Sequence, residues 1–358
     1  MEKKKDYKED TTMAVKDLDW GNIGFGYMET DYSYVSMYKD GKWDDGTLTK
    51  DHTVTMNECA GVLQYSQSCF EGLKAYRTED GKIVTFRPDL NAQRMADSCE
   101  RLEMPVFPVE RFLKAVKEVV AANADWVPPY GSGATLYIRP YMFGYNSVIG
   151  VKPADEYMFR ILVTPVGPYF KGGAKPVVVR IPDFDRAAPH GTGNIKAGLN
   201  YAMSLHPIME AHREGFNENM YLDPATRTKI EETGGANIIF IKDGGKTLVT
   251  PKSDSILPSI TRRSICYIAE NVLGMNVEHR EIFLSELENG EFEEMGLCGT
   301  AAVISPVGQV NDHGKVINIP AGMDDMGPAT KKLYDTLTGI QMGKLPAPEG
   351  WIVEIPEK

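Results

Sequence analysis

A two-domain fold of mixed α/β class is what this sequence predicts, on three observations. The chain has 358 residues, roughly two domains at about 150 residues each. Strand-like runs alternate with helix-like stripes in both halves of the chain, the pattern of mixed layers. Between the halves, residues 167–173 read Gly-Pro-Tyr-Phe-Lys-Gly-Gly, a composition suited to an interdomain connection. The expected division is a small domain over 1–166, with 1–12 a charged flexible tail, a loop over 167–175, and a large domain over 176–358.

The elements follow in order. Ala92, Met95, Ala96, Cys99 and Leu102 fall at helical spacing and predict a helix over 92–102. A second helix over 110–124 stops before Val127-Pro128-Pro129. Residues 135–143 and 157–166 are rich in strand formers. Past the connection come a strand over 177–181, a glycine-rich loop, and a helix from about Ala197. Strands over 237–241 and 247–250 precede Ser259, an N-cap after Pro258 for a helix running through Ile265, Ile268 and Ala269 towards Gly274.

Composition narrows the function. With 42% hydrophobic and 25% charged residues the chain is globular and not disordered. Lys plus Arg is 39 against 50 Asp plus Glu, a net charge of −11, which weighs against nucleic acid or an anionic membrane as partner. No run reaches the roughly 18 apolar residues of a membrane span. The N-terminus, Met-Glu-Lys-Lys-Lys-Asp-Tyr-Lys-Glu-Asp, has no apolar stretch of a secretory signal. Five cysteines, an odd number with no CxxC pair, read as buried free thiols of a reducing cytoplasm. His190, His206 and His212 lack ligand spacing, so no metal site is expected.

Several residues could carry chemistry. Gly191-Thr192-Gly193-Asn194-Ile195-Lys196 lacks the third glycine of GxGxxG and the GK[ST] ending of a P-loop. It still places Lys196 after a flexible loop, with Asn200 and Tyr201 downstream. A free lysine, with a pKa of about 10.4, becomes catalytic when desolvated, set beside positive charge, or bound as a Schiff base. Glu231-Glu232-Thr233-Gly234-Gly235-Ala236-Asn237 runs into an apolar strand, so a carboxylate at its mouth can pair with a protonated ring nitrogen or belong to an ordinary acidic turn. Ser259-Ile260-Thr261 puts N–H groups at a helix start, an anion site or a plain cap. Gly299-Thr300-Ala301-Ala302 is a second small-residue turn that could do the same. On a strand, Tyr137 and Arg139 share one face, suited to a carboxylate or to solvent. Arg94 lies opposite the apolar stripe of its helix, where periodicity alone leaves it solvated.

Read together, these stretches resemble one family. Ser68-Cys69-Phe70-Glu71-Gly72-Leu73-Lys74-Ala75-Tyr76, Arg87-Pro88-Asp89-Leu90-Asn91-Ala92-Gln93-Arg94-Met95 and Leu136-Tyr137-Ile138-Arg139-Pro140 are similar to branched-chain aminotransferases. So are Gly193-Asn194-Ile195-Lys196-Ala197-Gly198-Leu199-Asn200-Tyr201, Glu232-x-Gly234-x-x-Asn237, Leu257-Pro258-Ser259-Ile260-Thr261-Arg262 and Gly299-Thr300-Ala301. The seven matches keep their order from about Phe25 to the C-terminus.

The resemblance implies a fold type IV architecture with pyridoxal 5′-phosphate in the interdomain cleft. It implies Lys196 as the Schiff-base lysine, Tyr201 on the cofactor's O3′, Glu232 on the ring nitrogen and Leu257 against the ring. Arg94, Arg186, Ile260, Thr261 and Thr300 would surround the phosphate, with Ile260 and Thr261 acting through backbone N–H. Phe25, Tyr65, Tyr137, Arg139 and Tyr169 would line the substrate pocket, and the Thr300-Ala301 turn would take the α-carboxylate. The implied reaction exchanges the amino group of L-leucine, L-isoleucine or L-valine with 2-oxoglutarate, giving L-glutamate, by ping-pong kinetics in a homodimer or higher oligomer. Same-fold rivals are a 4-amino-4-deoxychorismate lyase and a D-amino-acid aminotransferase; a more distant one is a nucleotide-binding protein built on the 191–196 loop. The CxxC redox switch of mammalian members is replaced here by Ala302-Val303-Ile304-Ser305.

Overall fold

The computed structural model of the chain describes residues 15–167 and 175–356. Tyr169 and most of the expected connecting loop lie outside them. The first half supplies β1 (Ser33–Lys39), β2 (Lys42–Trp43), β3 (Thr47–Thr49), α1 (Gly61–Tyr65), β4 (Ser68–Phe70), β5 (Leu73–Arg77), β6 (Ile83–Phe86), α2 (Pro88–Arg101), α3 (Val109–Ala122), β7 (Thr135–Gly144) and β8 (Tyr157–Val166). The second half supplies β9 (Val177–Ile181), α4 (Gly198–Arg213), β10 (Glu218–Leu222), β11 (Ile230–Thr233), β12 (Asn237–Lys242), β13 (Thr247–Pro251), α5 (Ile260–Asn271), β14 (Asn276–Arg280), α6 (Leu284–Glu288), β15 (Glu294–Gly299), β16 (Val303–Asp312), β17 (Lys315–Asn318), α7 (Pro328–Gln341) and β18 (Ile352–Ile355).

Among the described residues the strands form two nine-stranded sheets. The first runs β18-β6-β5-β7-β8-β1-β2, with β3 on β1 and β4 on β7. Its centre is the antiparallel pair β7 and β8, in register from Thr135↔Val166 to Gly144↔Tyr157. Both strands are buried along nearly their whole length, which is why their sequences run apolar instead of alternating. The second sheet runs β11-β10-β9-β16-β15-β12-β13-β14, with β17 on β16, and mixes parallel and antiparallel pairs.

The last strand crosses the expected division. β18 does not stay with residues 176–358; it pairs antiparallel with β6, Ile352 opposite Phe86 and Ile355 opposite Ile83. The pairing covers an otherwise open edge of the first sheet. Trp351 anchors it against Phe86, ring centroids 5.5 Å apart, under the Arg87 guanidinium at 4.4 Å. A shared core ties the halves together, with Val84 and Phe86 against Ile239, Ile241 and residues of α5 and α7.

Helices α2, α4 and α5 bear on the site. Proline at its first position starts α2 at Pro88, ahead of the apolar stripe. Its buried residues form two stripes, not one: Ala92, Met95, Ala96 and Cys99 face the core, while Asn91, Arg94 and Ser98 are also buried. Helix α5 begins as expected, with Ser259 Oγ accepting the Arg262 N–H at 3.1 Å. The five cysteines are free thiols, but Cys59 is only half-buried, because it sits in the surface turn before α1.

Candidate active site

One pocket collects most of the predicted residues. Phe25, Arg94, Tyr137 and Arg139 enter it from the first half, and Arg186, Lys196, Tyr201, Glu232, Leu257, Ile260, Thr300 and Ala301 from the second.

Lys196 is fixed through its backbone. Its N–H donates to Ser98 Oγ on α2 at 3.1 Å, and its carbonyl accepts the Phe70 N–H at 3.0 Å. Its Nζ donates to the Tyr201 hydroxyl at 2.7 Å and lies 4.8 Å from the Phe70 ring centroid. The preceding glycine loop is not a phosphate cradle: the Gly191 and Ile195 N–H groups close local turns onto Ala188 and Thr192. Gly193 is required by close approach, since a Cβ there would overlap the Ser255 carbonyl oxygen.

Glu232 is 3% exposed on β11. Burial pushes its carboxyl above the ordinary value, and the Arg186 guanidinium at 2.9 Å opposes that shift. The Leu257 N–H at 2.9 Å and the Asn237 side-chain amide also donate to it. Arg186, expected beside a phosphate, is thus turned onto Glu232 and onto the Gly193 and Ser255 carbonyls.

The groups suited to an anion sit at the start of α5. The unsatisfied N–H groups of a helix's first turn favour negative charge. Arg94 reaches this point, with Nη1 donating to the Pro258 carbonyl at 3.1 Å. Ile260 lines the pocket; Thr261 follows it in the same first turn but is not part of the wall. Thr300 is held against the first half, its hydroxyl donating to the Gly72 carbonyl at 3.1 Å. Buried Lys74 approaches the Ala301 carbonyl at 3.5 Å, and burial lowers its ammonium pKa to about 8.

On the far wall, Phe25 packs edge-on against Tyr137, ring centroids 5.5 Å apart. Arg139 donates to the Tyr137 hydroxyl at 3.1 Å and lies over the Phe70 ring at 4.6 Å. Its buried Nε has no hydrogen-bond partner among the described residues, so the guanidinium keeps donor capacity for a carboxylate. Tyr65 is not brought to this wall. It ends the short α1, partly exposed, with its hydroxyl donating to the Ile149 carbonyl.

Three residues of this arrangement were not given roles from the sequence. Phe70 supplies the ring shared by Lys196, Tyr201 and Arg139. Ser98 holds the Lys196 backbone. Glu71 pairs with Arg94 through two nitrogens, at 2.7 and 2.8 Å. For Ser98 a signal existed, its spacing four residues beyond Arg94 on one helix.

An amine, a buried carboxylate and an anion-binding helix start with an arginine now share one cavity. These are the groups needed to meet the aldehyde, ring nitrogen and phosphate of pyridoxal 5′-phosphate, so the donor set fits that cofactor.

Comparison with known proteins agrees. The family described as amino-transferase class IV matches residues 68–310. A branched-chain-amino-acid aminotransferase of Haemophilus influenzae is 51% identical over 346 residues, covering 95% of this chain and 100% of the relative. One of Helicobacter pylori is 47% identical, covering 95% and 99%. Among solved structures, a branched-chain amino acid aminotransferase of Escherichia coli matches with a TM-score of 0.77 at 28% identity, over 92% of this chain and 100% of that one. An enzyme of the same name from Thermobaculum terrenum, solved in its PLP form, shares the fold at a TM-score of 0.74 and 23% identity, again over 92% and 100%.

Proposed function

This chain belongs to the branched-chain-amino-acid aminotransferases of amino-transferase class IV, and from that premise we propose how its pocket works. The reaction is reversible transfer of the amino group of L-leucine, L-isoleucine or L-valine to 2-oxoglutarate. The observation that carries the residue assignment is the meeting of Lys196, Glu232 and the α5 N-terminus in one pocket. When bound, pyridoxal 5′-phosphate supplies an electron-withdrawing ring that makes the substrate Cα–H acidic.

Lys196 Nζ takes the proton from the amino-acid Cα, and in the other half-reaction it returns one to Cα of the incoming 2-oxo acid. The Tyr201 hydroxyl, 2.7 Å away, fixes the amine's position between transfers. Glu232, held by Arg186 and the Leu257 N–H, offers its carboxylate to a protonated ring nitrogen. Leu257 packs against the ring. Arg94, the Ile260 and Thr261 N–H groups and Thr300 would hold the phosphate, while Arg186 is engaged by Glu232 and the Gly193 and Ser255 carbonyls.

Phe25, Phe70 and Tyr137 form an apolar wall for a branched side chain. Arg139, beside the Tyr137 hydroxyl, receives the second carboxylate of glutamate. N–H groups of the Thr300-Ala301 turn receive the α-carboxylate. The first sheet with β18 is taken as the small domain and the second sheet as the large one.

The reading extends to a homodimer or higher oligomer in the cytoplasm. Exposed Met203, Leu205 and Met209 on α4, and exposed Leu63, Ile149 and Val151, support the oligomer. Free thiols support the reducing compartment. No helix among the described residues is long and apolar enough to cross a membrane.

The test is the visible absorption of the purified protein. A band that L-leucine bleaches and 2-oxoglutarate restores supports the proposal. A band indifferent to L-leucine overturns the substrate reading and favours the lyase or D-amino-acid reactions. No band after addition of pyridoxal phosphate overturns the cofactor site.

A further inference from the structure

We propose that Glu71 is a positioning residue that clamps Arg94 so that its guanidinium presents one free N–H from each terminal nitrogen to the cofactor phosphate. The inference rests on the reading of Arg94 as a phosphate ligand.

Glu71 is fully buried at the turn between β4 and β5. A carboxylate there has no reason to be tolerated unless its lone pairs are filled. They are. Oε1 accepts Arg94 Nε at 2.7 Å. Oε2 accepts Arg94 Nη2 at 2.8 Å, Asn91 Nδ2 at 2.7 Å and the Gly72 N–H at 3.2 Å. Asn91 and Arg94 are three residues apart on α2, so one helix face delivers both donors to one carboxylate.

The donor inventory of Arg94 then decides what is left. A guanidinium has five N–H groups. Glu71 occupies Nε–H and one hydrogen of Nη2, and the Pro258 carbonyl, at 3.1 Å, takes one hydrogen of Nη1. The two hydrogens remaining are on Nη1 and Nη2, one each. Pro258 directly precedes the Ser259 cap of α5, so this end of the guanidinium lies beside the first-turn N–H groups. The carboxylate occupies the Nε edge, which a phosphate would otherwise compete for, and leaves the terminal edge for the anion. Without Glu71, Arg94 would be a buried cation with several rotamers and no fixed donor pair.

The test compares dissociation constants for pyridoxal 5′-phosphate and for pyridoxal, which lacks the phosphate, followed by the visible band. Glu71→Gln should weaken pyridoxal phosphate binding at least tenfold and pyridoxal binding less than twofold. Asn91→Ala, which removes one support of Glu71 and leaves the ion pair, should shift the same ratio in the same direction by a smaller factor, and it decides the matter if Glu71→Gln does not fold. Arg94→Gln separates the two claims. If it lowers phosphate-dependent affinity while both Glu71→Gln and Asn91→Ala bind normally, Glu71 has no positioning role and Arg94 keeps its own. If Arg94→Gln binds pyridoxal phosphate as the unaltered protein does, the phosphate reading fails and this proposal with it. An equal loss for both ligands in Glu71→Gln marks a merely structural residue and also overturns the proposal.

Discussion

Lys196 Nζ donates to the Tyr201 hydroxyl across 2.7 Å, and both side chains lie against the same Phe70 ring. The five-residue separation matters. Lys196 ends the glycine loop, hydrogen-bonded to α2 and β4, and Tyr201 is in the first turn of α4. A helix start thus carries the partner that steadies the amine. Replacing Tyr201 by Phe keeps the ring and removes the hydroxyl. Losing a hydrogen bond that positions the amine is worth about 0.5–1.5 kcal/mol, so kcat/KM for L-leucine should fall roughly 2- to 10-fold. Steady-state kinetics check this, with a melting curve showing that the fold is kept; an unchanged kcat/KM would deny the hydroxyl its role.

Gly72 sets the position of Tyr137. A Cβ on Gly72 would overlap the Tyr137 hydroxyl oxygen and lie 2.9 Å from Cζ. Gly72→Ala must therefore displace the ring from its place between Phe25 and Arg139. The KM for both L-leucine and 2-oxoglutarate should rise about tenfold, the order expected for about 1.4 kcal/mol of lost contact, with a smaller effect on kcat. Unaltered KM values would place the substrates elsewhere.

Glu232 and Arg186 are a buried ion pair at 2.9 Å, 4% and 7% exposed at their side chains. Glu232→Ala leaves a buried guanidinium without its counter-charge and the Leu257 N–H without its acceptor. Removing one partner of such a pair costs about 3–5 kcal/mol, to be read from urea unfolding. A loss below about 1 kcal/mol would mean that the carbonyls of Gly193 and Ser255 already satisfy Arg186.

Glu218 predicts a pH dependence of stability. It lies beneath the pocket's Gly234, where a Cβ would meet its Oε1 at 3.1 Å, and accepts the Asn219 N–H at 2.9 Å. Burial raises its carboxyl from 4.5 to about 7. The folded state therefore holds a proton that the unfolded state releases. Stability contributed by the neutral acid is full below about 4.5, falls as pH rises, and is lost above about 7. The change is about 3 kcal/mol. Glu218→Gln should remove this slope, so that its stability relative to the unaltered protein improves between pH 5 and pH 8 in urea titrations. An equal difference at both values would place the titration elsewhere.

Much of this architecture was legible because local signals agreed with the final environment. Residues 135–143 and 157–166 read as strands from their β-formers and are the central pair β7 and β8; Ser259 was visible as a cap because its hydroxyl does act as one. Arg94 shows where periodicity stops short. A single apolar stripe marks one buried face, but α2 is covered on a second face by polar partners that no local window contains. Glu71 is 23 residues away from Arg94 and Pro258 is 164 away. The C-terminal strand escaped for the same reason: Val353 and its partner Thr85 on β6 are 268 residues apart. Resemblance supplied a role for Arg94 that periodicity denied it. For Tyr65 it supplied a role that its position on α1 does not serve within this one chain.

The Lys196 amine is assigned the proton movement that amino transfer requires. The most direct measurement is single-turnover loss of deuterium from L-leucine deuterated at Cα, by the cofactor-loaded protein and by its Lys196→Ala variant. Under this assignment, deuterium loss depends on the protein, accompanies formation of the 2-oxo acid, and slows at least 10²-fold in the variant, the lower bound for a general base. Deuterium loss at the same rate from the variant would contradict it and assign the proton to another group.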